Sequence, residues 1–225
     1  MNAVIATNGE MQDHVRLREI WRAADLRIAA DGGAVNARQH LALAPHIVIG
    51  DLDSLDDATR AWCAHARVEL IPHPREKDET DLELALDLAI ARGASEITIL
   101  GALGGRFDQM LANVLLLAKP ARAHVAAHIA GADFDAWLAW ERATIRGKIG
   151  ETVSLIPLTE RVEGIITEGL RYPLRNETLY LGTAHGVSNE LIAERAEVTF
   201  TRGLLVVVHL LTTADDNGSR RSARV

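Results

Sequence analysis

The first half of the chain alternates short apolar runs with stretches of helical periodicity, and few architectures accommodate that rhythm. Residues 4–6, 26–30, 47–50, 68–71 and 96–100 read as strands, while 15–24, 34–43, 57–66 and 81–92 carry the spacing of amphipathic helices. Strands this apolar must be buried on both faces, and the intervening helices supply the cover. The pattern therefore predicts an α/β domain on a mostly parallel sheet, with helices above and below it.

One helix start is legible residue by residue. Thr80-Asp81-Leu82-Glu83 has the form of a capping box, with Thr80 as the cap and Glu83 reaching back to it. Leu82, Ala85, Leu86 and Ala89 then make a buried stripe, and Gly93 a stop. Another helix is expected after Gly104-Gly105-Arg106-Phe107, running through Leu111 and Leu115 until Lys119-Pro120 ends it. Beyond about residue 123 the rhythm changes to short runs punctuated by glycine, at 124–129, 135–140, 144–148, 152–157, 162–167, 177–181, 196–201 and 204–210. These predict antiparallel strands in a sandwich or partly open barrel. The division is placed near Arg142, giving an α/β domain over 1–142, a β domain over 143–211 and a tail over 212–225 whose composition predicts disorder.

A formal net charge of −7 advertises no general attraction to nucleic acid or to an anionic membrane. An acidic protein that handles a polyanion must offset the repulsion locally, with metal ions and a few placed cations. The single cysteine, Cys63, allows no internal disulfide and fits a reducing compartment. No basic residue precedes the apolar run at 3–6, which is too short for a signal peptide or a membrane span, so the cytoplasm is expected.

In open parallel sheets, ligands bind beyond the carboxyl ends of the strands, and four polar clusters fall at such positions. Asp31-Gly32-Gly33 follows one strand; its glycines allow close backbone approach to a ligand, although a plain β-to-α turn explains them equally well. In Gly50-Asp51-Leu52-Asp53-Ser54, residues two apart in an extended segment face the same way, so both carboxylates project to one side and suit a hard cation such as Mg²⁺. The alternative is that Asp53 or Ser54 caps the helix that follows. Glu76-Lys77-Asp78-Glu79-Thr80-Asp81 crowds four acids at a helix entrance, where the dipole favours them, but the dipole does not call for Lys77. Gly104-Gly105-Arg106-Phe107-Asp108-Gln109 sets an arginine fork, suited to phosphate, at a new helix start; Asp108 there is also a candidate cap.

Neither a P-loop nor a Gly-x-Gly-x-x-Gly fingerprint is present, zinc-ligand spacing is missing, and no Gly-x-Ser-x-Gly elbow occurs. Phosphate chemistry run by carboxylate-held metal remains.

Taken in order, Asp31-Gly32-Gly33, Gly50-Asp51-Leu52-Asp53-Ser54, Lys77-Asp78-Glu79-Thr80-Asp81 and Gly104-Gly105-Arg106-Phe107-Asp108-Gln109 resemble the motifs of thiamine pyrophosphokinases. Asn8-Gly9-Glu10, the segment from Gly164 to Leu174, and Gly186-Val187-Ser188-Asn189-Glu190 extend the resemblance over nearly the whole chain. It implies a three-layer α/β domain followed by a β-sandwich, a homodimer with shared active sites, and the reaction of ATP with thiamine to give AMP and thiamine diphosphate. Carried over, Asp51, Asp53 and Asp81 hold Mg²⁺. Lys77, Thr80 and Arg106 hold or orient phosphates, and Asn8, Asp31, Gly32 and Gly33 surround the nucleotide. Asp78, Asp108 and Gln109 order the metal shell or the incoming alcohol, with Asp78 the candidate for accepting its proton. Ser188 and Asn189 contact thiamine, while the stacking aromatic that some relatives supply is not evident after Ser188, where Leu191 and Ile192 follow. A pterin alcohol as acceptor, or a sensor without catalysis, are the competing readings.

Overall fold

A computed structural model describes residues 1–212, so most of the tail set off above lies outside the described residues. The chain divides into two compact units, Met1–Ala132 and a second beginning at Asp133.

In the first unit, β1 (Asn2–Ala6), β2 (Leu26–Ala30), β3 (Ile47–Gly50), β4 (Glu69–Pro72), β5 (Glu96–Leu100) and β6 (Ala126–Ala130) pair in the order β6-β5-β1-β2-β3-β4, every neighbour parallel. Helices α1 (Val15–Ala23), α2 (Gly33–Asn36), a π-helical turn (Ala37–Leu41), α3 (Asp57–His65), α4 (Asp81–Ala91), α5 (Phe107–Leu116) and α6 (Ala118–Arg122) fill the connections. Val4 and Ala6 pack with Leu17 and Trp21 of α1, and Ala29 and Val48 with Cys63 of α3. The opposite face, carrying Ile5, Ile28 and Ile47, is buried as well, and α4 contacts β1, β2 and β3. Burial on both faces is what the apolar strands required. Residues 124–129, grouped by rhythm with the antiparallel runs, instead supply β6, which pairs in parallel with β5.

Helix α4 forms as its sequence dictates, with one exchange. The Thr80 hydroxyl accepts the Glu83 N–H at 3.2 Å, Leu82, Ala85, Leu86 and Ala89 are buried, and Gly93 takes φ +82° at the stop. The Glu83 carboxylate, however, takes the Lys119 ammonium at 2.8 Å instead of reaching back to the cap. Pro120 does not end α5; the chain turns at Leu117 and the proline sits in the first turn of α6, where its missing N–H has no helical partner to lose.

The second unit is a β-sandwich. One sheet pairs β7 (Phe134–Ala139), β14 (Leu205–Leu210), β9 (Thr152–Pro157) and the two-residue β12 (Asn189–Glu190). The other pairs β11 (Arg175–Tyr180), β10 (Arg161–Glu168), β13 (Arg195–Thr199) and β8 (Arg142–Arg146), all antiparallel. Alternate residues of both, among them Ile145, Leu155, Val198 and Val207, interdigitate in one core. Because β7 pairs along its length with β14, the sandwich unit begins ahead of the division set near Arg142.

The sandwich carries a buried ionic group, Glu151 with His209. The Glu151 side chain accepts the Thr212 and Lys148 N–H groups, each at 2.8 Å, and His209 Nε2 at 2.9 Å. Burial alone would raise this carboxyl, but the Thr212 and Lys148 N–H groups and His209 together hold it below its usual 4.5. Its contribution is therefore present above pH 4.5 and lost as pH falls through the lower folded value. We expect Glu151→Ala to lower the urea-unfolding free energy by about 3 kcal/mol, since it strands three donors. The deficit of Glu151→Gln should shrink when the titration is repeated below pH 4.5.

Candidate active site

The strand order reverses beside β1, whose neighbours are β5 on one side and β2 on the other. At the carboxyl ends of the strands, such a reversal is where parallel sheets open a crevice for ligands. Side-chain and backbone hydrogen bonds hold its walls. The Thr7 hydroxyl donates to the Leu100 and Gly101 carbonyls, Gly9 N donates to Gly101 O at 2.8 Å, and Asn36 Nδ2 donates to the Thr7 and Gly9 carbonyls at 2.7 and 2.8 Å. A cleft of about 700 Å³ results.

Carboxylates gather on its β2–β3 side. Asp31 follows β2 with φ +43°, and its Oδ1 is a buried atom with no hydrogen bond. Asp51 and Asp53 follow β3 in a turn, not in the extended segment inferred from sequence: Leu52 has φ +62° and Asp51 Oδ1 accepts the Asp53 N–H at 3.1 Å. The two nevertheless converge, and ligand oxygens of Asp31, Asp51 and Asp53 lie within 4.8 Å of one another. Asp53 does not cap α3; Asp56 does, accepting Thr59 N at 2.6 Å. Burial raises the Asp31 carboxyl above its usual range against the pull of Ser54 and the Gly32 N–H, and the Asp81 and Asp51 carboxylates push it further up. Hard oxygens at this spacing, one of them buried and unpartnered, fit an ion such as Mg²⁺.

Gly50 makes the gathering possible. At φ +142°, a Cβ on it would lie 2.8 Å from Asp81 Oδ1 and 3.0 Å from Asp31 Cβ. Asp81 lies close by, and its Oδ1 faces Lys77 Nζ of the preceding loop at 2.9 Å, without hydrogen-bond alignment. Asp31, placed around the nucleotide by resemblance, stands in one carboxylate group with Asp51 and Asp53.

Of the other residues singled out from sequence, Asn8, Asp51, Lys77 and Thr80 line the cleft, as do Asp81, Arg106 and Gln109. Arg106 is gripped by Asp108, Nε to Oδ1 at 3.1 Å and Nη2 to Oδ2 at 2.5 Å, and the hydrogen bond pulls the Asp108 carboxyl down. Asp108 is not the cap of α5, a position held by Arg106. Asp78 is exposed ahead of α4, and neither it nor Asp108 is among the lining residues. Gly32 and Gly33 serve packing: a Cβ would meet the Asn8 amide at 2.4 Å or Ala6 O at 2.0 Å. Thr7, Arg75 and Asn113, which no sequence cluster contains, also line the cleft, as does Glu79 of the third cluster, to which no role was given. Asn113 looked like one more helical position; its Nδ2 holds Ala102 O at 2.8 Å.

The sandwich unit has a pocket of its own, about 540 Å³, whose lining includes Tyr172, Glu177, His185, Ser188 and Asn189. Asn189 is turned toward the backbone of Tyr172, accepting its N–H at 3.0 Å and donating to its carbonyl at 2.7 Å. Tyr172 is 64% exposed although its backbone is clamped. It sets an exposed aromatic ring in the same pocket as Ser188, from a stretch of chain before that motif.

An α/β unit with an acidic cleft at its strand ends, followed by a β-sandwich with a polar-rimmed pocket, defines the class of this protein. Residues 17–129 match the family model described as thiamin pyrophosphokinase, catalytic domain, and 142–205 match that of the vitamin B1 binding domain. The chain is 31% identical over 185 residues to a thiamine pyrophosphokinase of Bacillus subtilis, covering 81% of this chain and 86% of the relative. The crystal structure of a Bacillus subtilis thiamine pyrophosphokinase superposes with TM-score 0.85 at 27% identity, over 95% of this chain and all of that one. A Geobacillus thermodenitrificans structure gives 0.79 at 28%, over 95% and 99%. The chain belongs to the thiamin pyrophosphokinase family.

Replacing Asp51 or Asp53 by Asn should weaken Mg²⁺ binding, followed by calorimetry, by at least about 10-fold. Asp31→Asn should weaken it likewise while raising thermal stability in chelator, because the mutation removes a carboxylate whose charged form is disfavoured in the fold.

Proposed function

We propose that this enzyme transfers pyrophosphate from ATP to the hydroxyl of thiamine, releasing AMP and thiamine diphosphate. The observation that carries the reading is the convergence of Asp31, Asp51 and Asp53 in one group, with Lys77, Arg106 and Asp81 lining the same cleft. Asp51 and Asp53 with Asp31, and Asp81 beside them, would hold Mg²⁺, which when bound offsets charge on the phosphate oxygens. Lys77 and Arg106 bind those oxygens, and Asp108 keeps the Arg106 fork presented. Thr80 and Gln109 complete the cleft wall, and Asn8 borders the nucleotide. Asp78, the sequence candidate for accepting the proton of the attacking hydroxyl, is exposed at the α4 entrance outside the cleft lining, and transfer of this kind needs modest base help, since positioning and charge stabilisation dominate.

For the alcohol, Ser188 and the ring of Tyr172 offer a polar contact and an aromatic face in one pocket, with Asn189 steadying the segment. The match of 142–205 to a vitamin B1 binding domain disfavours a pterin acceptor, and a pure sensor has no use for so crowded a carboxylate group. We assign the protein to the cytoplasm; no helix among the described residues is long and apolar enough to cross a membrane. We also assign a homodimer in which two copies share active sites. The exposed stripe Phe107, Leu111 and Leu115 on α5, adjoining Arg106, supports such an interface.

Incubation with ATP, Mg²⁺ and thiamine should yield AMP, resolved from ADP by chromatography; ADP as product would refute the reading. Asp51→Ala should cut turnover at least about 100-fold with an unchanged circular dichroism spectrum. Tyr172→Ala should raise KM for thiamine about 10-fold and leave KM for ATP alone. Mixing these two variants should restore partial activity if copies share sites.

A further inference from the structure

The cations lining the cleft are not equally committed. Lys77 is a largely buried side chain, 12% exposed, held by Asp81 at 2.9 Å and by the Pro74 carbonyl at 3.3 Å. Arg106 is fixed by two hydrogen bonds to Asp108. Arg75 is different: it lines the same cleft, its side chain is 84% exposed, and its Nε stands 3.7 Å from Asp53 Oδ2. An ion pair that long and that exposed contributes little and is cheaply broken. Packing gives the loop little reason to place a guanidinium there, since most of the side chain is exposed.

Asp53 is also one of the three carboxylates gathered at the strand ends. With Asp53 committed to a divalent cation, its attraction for Arg75 falls, and a planar fork is left at the cleft mouth within reach of whatever anion that cation carries. An arginine fork matches phosphate bidentately, which a lysine point charge does not. The geometry points to Arg75 as a further polyphosphate-binding residue, one that moves from Asp53 to the terminal phosphates of the nucleotide. It confers preference for the triphosphate over nucleotides lacking those phosphates. The inference rests on the pyrophosphate-transfer reading above, and adds to it a specificity residue outside the four sequence clusters.

The test is calorimetric binding to full-length protein in Mg²⁺, using α,β-methylene-ATP and AMP, with wild type, Arg75→Ala and Arg75→Lys. Arg75→Ala should weaken the ATP analogue about 10- to 100-fold and leave AMP unchanged. Arg75→Lys should recover part of the loss. An unchanged affinity of Arg75→Ala for the analogue overturns the role of Arg75 while leaving the pyrophosphate-transfer reading standing. Equal losses for the analogue and AMP also overturn it, because a contact to terminal phosphates cannot weaken AMP. Failure of the wild type to bind the analogue removes both.

Discussion

Carboxylates repel one another, and this fold nevertheless brings Asp31, Asp51 and Asp53 within ligand distance of each other, with Asp81 close by. Everything that surrounds the cleft serves or tolerates that concentration of negative charge. Gly50 supplies the space, since any side chain there would strike Asp81 or Asp31. Asp31 and Leu52 adopt left-handed backbone that costs on the order of 1–3 kcal/mol each and persists only where the surroundings enforce it. The paired cations Lys77 and Arg106 keep the cleft from being a purely anionic well. A cation held between the carboxylates would relieve the repulsion.

The scaffold that enforces this is the parallel sheet. Its inner strands are buried on both faces, so their carboxyl ends are fixed, and the crevice beside β1 follows from the direction in which the chain moves along the sheet. The loops of β1 and β5 are stitched to each other by Thr7 and Gly9, and Asn36 ties the β1 loop to α2. In the sandwich the same economy appears on a smaller scale: a single amide, Asn189, clamps the backbone of Tyr172 while leaving its ring exposed. A rigid exposed aromatic loses little freedom when it meets a flat ligand.

The architecture was legible because it depends on periodicity. Every strand of the α/β unit follows an apolar run, and α4 could be read down to its cap, its buried stripe and its glycine stop. The errors came where a local signal was outvoted by tertiary partners. Glu83 abandoned its cap for Lys119, Pro120 opened a helix instead of closing one, and residues after 123 joined the parallel sheet because β5 still had a free edge.

For the site, the sequence by itself determined the chemistry: which turns carry acids, arginine, lysine and glycine, and that each follows a strand. Spacing along a strand and the order of motifs are local properties, so they survive in one dimension. Only the tertiary structure decided which acids meet. Asp31 and Asp51 follow neighbouring strands and converge, whereas Asp81, opening α4, pairs with Lys77 in the loop before it. It also decided that Arg75, with no motif to mark it, stands at the cleft, and that Tyr172 faces Ser188 from a distant stretch of chain. Side-chain direction depends on left-handed turns and on competing partners across the fold, and neither is written in the residues that flank a motif.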